Sequence, residues 1–295
     1  MTAPGGVARV DVFSVKGGVG KTTVSVVLAR AQAAHSKKPV LLVDADLTGT
    51  CLGHLLGPAI RGDWNEVHNL AHLICDPPET LEEALVKDRL PVYRLPEQHT
   101  ADPKDHHVSR VESFASQVLY CPSHGNSTAP SFVDPKVLQA LAGHETAGGW
   151  VRLVIEKVIE STAGVAGELG GVIVDHSPGM AALQTATLQD ISAAPSARRA
   201  LFVTTSDRVD LKMTNATVGH LDQQVLGRSV FLVNRARGRW REQAHVKSEF
   251  DTSWVTSARE LEYSERLREA YEKSEALPLA ELSQLSSLRK AVFGD

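Results

Sequence analysis

No run of the 295-residue sequence approaches 18 uninterrupted apolar residues, so no membrane-spanning helix is expected. The opening "MTAPGGVARVDVF" lacks the apolar stretch of a secretory signal, and Val10 to Val15 reads instead as a strand. Cysteine is scarce: Cys51, Cys75 and Cys121 are odd in number and far apart. They offer neither a disulfide framework nor a CxxC ligand pair, and a reduced, cytoplasmic setting is the simplest expectation. A basic excess is also missing. The net charge of −4 argues against a constitutive nucleic-acid binder and leaves room only for a local basic patch.

What is present is a core-forming composition, 42% hydrophobic and 22% charged, arranged as short apolar runs between helical segments. "VDVFSV" (Val10–Val15), "PVLLVDAD" (Pro39–Asp46), "GGVIVDHS" (Gly170–Ser177), "RALFVTT" (Arg199–Thr205) and "SVFLVN" (Ser229–Asn234) are the strong runs, and "QVLYCP" (Gln117–Pro122) is a weaker one. Continuous apolar runs mark strands buried on both faces, the signature of a parallel sheet covered by helices on both sides. Val151, Val154, Ile155, Val158 and Ile159 fit one helical stripe; Val24, Val27, Leu28 and Ala31 begin another. The expected fold class is therefore α/β, a doubly wound and mostly parallel sheet. No linker composition divides the chain, so residues 1–295 are expected to form one domain with an irregular insertion over about 57–150. Within that insertion "CDPPETLEEALVKDRLPVYRL" reads as a short helix and then an edge strand, its prolines excluding it from the sheet centre. "PEQHTADPKDHHVSR" reads as an exposed loop.

"GGVGKTT" sits between a predicted strand and a predicted helix, the context in which a glycine-rich loop binds phosphate. Gly17, Gly18 and Gly20 let backbone N–H groups of the loop, Val19 included, wrap an anion at a helix N-terminus. Lys21 supplies charge at the β- and γ-phosphates, the Thr22 hydroxyl suits Mg²⁺, and Thr23 is placed for the α-phosphate. The loop departs from the common G-x-x-x-x-G-K-[ST] form because Lys16 occupies its first position.

That departure is specific: "KGGVGKTT" resembles the deviant Walker A motif of the MinD/ParA family of ATPases. The resemblance implies that Lys16 reaches across a dimer interface to nucleotide bound by the partner, so that ATP is sandwiched between two chains. "VLLVDADLTGT" ends with Asp44 and Asp46, which at i and i+2 of an extended strand share a face. By the resemblance Asp46 orients the attacking water and Asp44 supports the metal. "GGVIVDHSPGM" has the form of a Walker B strand ending in Asp175, with Pro178 and Gly179 in the following switch; in the family the glycine N–H senses the γ-phosphate. Asn234 matches the family's base contact and Arg235 after it also matches family usage; no Asn-Lys-x-Asp guanine motif competes, which favours ATP over GTP. "DADLTGTCLGHLLG" is similar to the Mrp and MinD branches, "QVLYCPSHGN" to the family's strand-then-Pro segment, and "ELEYSERLREAYEKSEALPLAEL" to the helix and turn after the last strand. Much of Asp63 to Arg110 does not match, and the cysteine pair of the iron–sulfur carrier branch is missing.

Two weaker features remain open. Arg235, Arg237, Arg239 and Arg241 beside Trp240 have the makings of a DNA-phosphate patch, and equally of a nucleotide-side loop or a protein-binding surface. Leu282, Leu285, Leu288 and Val292 form an apolar stripe near the end of the chain. It suits a closing helix better than a membrane-targeting one, because only Arg289 and Lys290 accompany it. The scattered histidines His99, His106, His107, His124 and His144 lack metal-site spacing. The reading that unites these features is an ATP- and Mg²⁺-dependent switch that dimerises around ATP, hydrolyses it slowly and recruits a protein partner. Its rivals are an ATP-dependent biosynthetic enzyme on the same fold and a non-catalytic nucleotide-binding adaptor.

Overall fold

A computed structural model describes residues 7–47, 52, 68–75, 81, 85, 90–95, 117–124, 147–179, 182–193, 197–236, 240–243, 246–247, 250, 252–262, 265 and 282–294. Most of the expected insertion, including the histidine-bearing loop, lies outside the described residues, as does most of the tail after Glu262. In chain order the strands are β1 (Arg9–Phe13), β2 (Val40–Ala45), β3 (Tyr93–Arg94), β4 (Val118–Cys121), β5 (Gly171–His176), β6 (Arg198–Thr205), β7 (Ser229–Ala236) and β8 (Arg259–Glu262). The helices are α1 (Lys21–Ser36), α2 (Leu70–Cys75), α3 (Ala147–Ala166), α4 (Ala182–Ala193), α5 (Arg208–Val218), α6 (Gln223–Leu226), α7 (Thr252–Ser257) and α8 (Leu282–Phe293).

The strands form one sheet in the order β3-β4-β2-β5-β1-β6-β7-β8. All neighbours are parallel except β3, which runs antiparallel to β4 at the edge where its flanking prolines are tolerated. Side-chain alternation divides the core between the two faces. Val10, Val12, Val40 and Leu42 pack with α1 and α8; Leu41, Val43 and Ala45 pack with α2 and α3. The α3 stripe is as expected: Val151, Val154, Ile155 and Val158 are buried against β2 and β5 neighbours, and Ile159 is partly buried beside them.

At the end of the chain one expectation is changed, and the closing helix is as expected. Glu260 to Glu262, read with the following helix, belong instead to an eighth strand, β8, paired with β7. Only Leu261 of this strand points into the core, so it carries no apolar run to announce it. The stripe on α8 is spent inside the protein: Leu285, Leu288 and Val292 pack in one cluster with Val24, Val27 and Leu28 of α1. Burial of each such side chain contributes about 1.5–3 kcal/mol, which a membrane-docking face would have to give up. Among the described residues no helix is long and apolar enough to cross a membrane.

Strand order reverses around β1, with β5 on one side and β6 on the other. In an open parallel sheet such a reversal opens a crevice beyond the carboxyl ends of the strands. The loop from Ser14 to Gly20 leaves β1 at that point.

Candidate functional site

The loop is built around left-handed glycines. Gly18 and Gly20 have φ of +80° and +83°, a region that side-chain-bearing residues enter only under strain. Gly20 carries a second constraint, because a Cβ there would come within 2.3 Å of Asn234 Nδ2. Val19 is buried in the core cluster, and its carbonyl accepts a hydrogen bond from Asn234 Nδ2 at 2.8 Å. The expected base-contacting residue thus also ties the end of β7 to the loop. Arg235, next to it, is exposed and left-handed (φ +54°) where the register of β7 on β8 shifts between Asn234 and Ala236.

Helix α1 begins immediately after Gly20 and brings three side chains to one carboxylate. Thr22 Oγ1 donates to Asp175 Oδ2 at 3.0 Å, and Ser25 Oγ donates to Asp175 Oδ1 at 2.7 Å. Lys21 Nζ lies 2.8 Å from Asp175 Oδ1, in ion-pair contact but poorly aligned for a hydrogen bond. A buried ammonium whose N–H groups are unfilled, beside a loop whose glycines leave its backbone open, fits a polyanion. The hard oxygens of Thr22 and Asp175 fit Mg²⁺ in the manner of sites that complete their shell with water and phosphate. Among the described residues no group of three His, Cys, Asp or Glu side chains forms a metal cage. Thr23 follows on α1, half-buried.

Asp44 stands beside Asp175 in the sheet, its register partner on β2. Its oxygens accept from Ser123 Oγ at 2.9 Å, Tyr120 Oη at 3.4 Å and the Asp46 amide at 3.0 Å. Burial, reinforced by the charges of Asp175 and Asp46, pushes the Asp44 carboxyl up to about 8. The expected shared face of Asp44 and Asp46 is modified: β2 ends at Ala45, and the chain turns so that the Asp46 amide caps the Asp44 side chain. Asp46 is buried one residue beyond the strand.

After β5 the chain turns through Ser177, Pro178 and Gly179. Gly179 is left-handed (φ +92°), and its N–H donates to Ser14 O at 2.8 Å, joining the turn to the end of β1. Gln184 of α4 fastens the same turn by donating to both Ser177 O and Ser177 Oγ. Lys16 is exposed, and its ammonium bonds Asp210 of α5 at 2.8 Å within the same chain.

Beneath these groups lies a buried polar network inside the apolar-looking "VDVF". Asp11 of β1 accepts from Arg9 Nη2 (2.8 Å) and Nε (3.0 Å), Arg198 Nε (2.9 Å) and His176 Nε2 (2.9 Å). Burial alone would raise the Asp11 carboxyl, but Arg198 and Arg9, then His176, outweigh it and hold it well below the usual range. His176 is pushed down by burial against the opposing pull of Asp11, so it is a neutral imidazole stacked on Phe13 at 4.6 Å. It directly follows Asp175 and anchors the end of β5.

Of the four arginines of the expected patch the structure describes two, Arg235, which is exposed, and Arg241. Arg241 is committed to β8 and its approach, bonding Glu260, Val255 O (3.1 Å) and Ala258 O (2.5 Å) while lying over Trp240. Arg237 and Arg239 lie outside the described residues. Residues the sequence reading missed are Ser25, Tyr120, Ser123, Thr205, Asp210, Asp11 and His176. Ser25 had a usable signal, being one helical turn from Lys21 on the same face.

The family model for the CobQ/CobB/MinD/ParA nucleotide binding domain matches residues 11–277. No individual curated protein matches significantly. Among solved structures, the chain is similar to a plasmid partition protein of Borrelia burgdorferi B31 bound to AMPPNP. The identity is 12% and the TM-score 0.57, over 96% of this chain and 99% of that one. It is similar to the septum site-determining protein MinD of Pyrococcus horikoshii OT3 complexed with Mg-ADP, at 18% identity and TM-score 0.52 over 97% and 92%. It also resembles the MinC:MinD cell division complex of Aquifex aeolicus, at 17% identity and TM-score 0.55 over 96% and 93%. At these identities the likeness concerns the fold.

Proposed function

The chain belongs to the CobQ/CobB/MinD/ParA nucleotide-binding family, and from that premise we propose that it is an ATP-driven switch. It binds ATP with Mg²⁺, pairs with a second copy around the nucleotide, hydrolyses slowly and engages a protein partner in one of the two states. The observation that carries this reading is the convergence of Lys21, Thr22 and Ser25 on Asp175, with Asp44 alongside, at the carboxyl edge of the sheet.

Within that reading the loop residues Gly17, Gly18, Val19 and Gly20 supply backbone donors, and Thr23 adds a hydroxyl. Lys21 neutralises phosphate charge, which requires it to exchange Asp175 for phosphate. Thr22 and Asp175 hold Mg²⁺, which when bound offsets the charge developing on the phosphates; Asp44 supports it from the neighbouring strand. Asp46 orients the attacking water. Pro178 and Gly179 form the turn that registers the terminal phosphate, with the Gly179 N–H leaving Ser14 O to do so. Asn234 and Arg235 flank the base, and Lys16 acts on the partner's nucleotide.

The AMPPNP and Mg-ADP carried by similar structures support ATP and Mg²⁺ as the ligands, and the MinC complex supports a role built on a protein partner. We read the chain as one nucleotide-binding unit acting in the cytoplasm, in keeping with its scarcity of cysteine. DNA stays an outcome to be tested rather than a partner assigned. Phosphate release tests the reading. The wild-type chain is expected to release phosphate from ATP only with Mg²⁺, and Asp46→Ala to keep nucleotide binding while losing release. Turnover by Asp46→Ala at the wild-type rate would remove that residue from its role, and no binding of ATP by the wild type would refute the switch.

A further inference from the structure

The amino-terminal edge of the sheet, opposite the nucleotide site, carries a cleft of its own. Helix α1 runs 16 residues from Lys21 to Ser36, so its far end lies about 24 Å from the phosphate loop. There, where β1, β2 and β5 begin and α1 and α8 end, the cleft encloses about 370 Å³. Gln32, His35, Lys38, Gly170, Arg289 and Phe293 are among its lining residues. Gly170 keeps one wall open, because a Cβ there would lie 2.2 Å from Ser36 Oγ and 3.0 Å from Lys38 Cβ. Gly171 makes room for the Phe293 ring, whose Cε1 would meet a Cβ at 2.8 Å.

Arg289 is only 9% exposed, yet among the described residues no carboxylate pairs with it. Its hydrogen bonds all leave from Nη1, to Gln32 Oε1 at 3.4 Å and Gly294 O at 3.3 Å. Both acceptors are neutral and both bonds are long. Gln32 is held in place, since its Nε2 donates to Gly170 O at 2.6 Å. The carbonyls at the end of α8 favour a cation, and Arg289 answers them through that one nitrogen. The Nε–Nη2 edge of the guanidinium is left unspent. Glu168, the acidic residue at the cleft, is taken by Lys38 at 2.5 Å. Lys38 and Arg289 against Glu168 leave the lining with a surplus positive charge, and a buried charge without its counter-ion is costly.

We propose that this cleft binds a small oxyanion ligand, a molecule whose carboxylate or phosphate group is gripped by the Nε–Nη2 edge of Arg289. Two oxygens of either group match that fork of N–H donors. Lys38 adds charge at the rim, and the half-buried Phe293 ring offers an apolar wall to the body of the ligand. The volume suits a metabolite-sized molecule. This site is separate from the nucleotide reading and stands or falls without it.

Thermal melting of the full chain, titrated with inorganic phosphate and separately with succinate at constant ionic strength, is the test. At least one probe should raise the Tm of wild type saturably, with half-saturation at about 1 mM. Arg289→Gln should raise the half-saturating concentration at least about tenfold, and Arg289→Lys, which keeps the charge and loses the fork, by less. Lys38→Gln should raise it about threefold. A response to phosphate alone assigns a phosphoryl ligand, a response to succinate alone a carboxylate, and a response to both the wider class. If Arg289 serves only to hold the end of α8, Arg289→Gln will lower the Tm without probe and leave half-saturation unchanged, which overturns the inference. If that variant does not melt cooperatively, Lys38→Gln decides by the same criterion. The response should persist with AMPPNP and Mg²⁺ present. Its loss there would return the anion to the phosphate loop and overturn the inference, as would a response no greater than that to chloride.

Discussion

Asn234 Nδ2 donates to the Val19 carbonyl at 2.8 Å across 215 residues of sequence, and the neighbouring Gly20 is the residue that makes the contact possible. The strand that carries the proposed base contact and the loop proposed to carry the phosphates are thereby a single mechanical piece. Gly20→Ala is expected to weaken ATP binding by at least about tenfold, combining a left-handed φ with a Cβ 2.3 Å from that nitrogen. Gly18→Ala is the control: it shares the positive φ but would meet nothing within 4 Å, so its effect should be smaller. Titration with a fluorescent ATP analogue compares the two, and Asn234→Ala should partly rescue Gly20→Ala alone.

Ser25 makes a separate contribution through Asp175. It is fully buried and donates to Oδ1, the oxygen that also faces Lys21. Ser25→Ala should lower Mg²⁺-dependent phosphate release about tenfold and raise the Mg²⁺ concentration for half-maximal rate. Leaving that carboxylate oxygen short of a donor should cost the fold about 1–2 kcal/mol in urea denaturation.

The raised Asp44 carboxyl gives a stability prediction whose sign is fixed. Its value in the folded chain is about 8 against 3.8 for the ordinary group, so between those values the folded chain holds a proton that the unfolded chain has lost. Raising pH through that window therefore favours unfolding, and the cost is absent below it and complete above it. Asp44→Asn carries no such cost while it can keep the bond from the Asp46 amide. With a chelator present, the variant should be more stable than wild type by on the order of 3–5 kcal/mol near pH 8 and close to equal near pH 4. Thermal melts at the two pH values check it; an advantage that does not depend on pH would contradict the burial of a charge as its origin.

Asp11 is predicted to be the most expensive single side chain to remove. Asp11→Ala leaves Arg9 and Arg198 facing a buried gap, which should cost about 3–5 kcal/mol in urea denaturation. Because His176 donates to Asp11 and directly follows Asp175, the loss should also reduce hydrolysis in the fraction that remains folded.

The parts of this architecture legible in the sequence are those written in local pattern. The runs that became β1, β2, β5, β6 and β7 are continuous because both faces of a parallel sheet are buried, and the glycine loop announces itself by spacing. β8 was missed because an edge strand with Leu261 as its single inward residue has no period to read. Asp11 was read as part of an apolar run, since a carboxylate in mid-strand looks like an exception until Arg9, Arg198 and His176 are seen around it. The Lys16–Asp210 pair joins residues 194 apart and depends on how β6 hands over to α5, which no local pattern encodes.

The central claim is that one nucleotide site takes its second lysine from another copy of the chain. Turnover of ATP per chain, measured over a range of chain concentrations for wild type and Lys16→Ala, tests it most directly. The account predicts that wild-type turnover per chain rises with concentration to a plateau as dimers fill. Lys16→Ala should bind ATP through Lys21 yet stay low and flat. Equal turnover by the two chains at every concentration would contradict it.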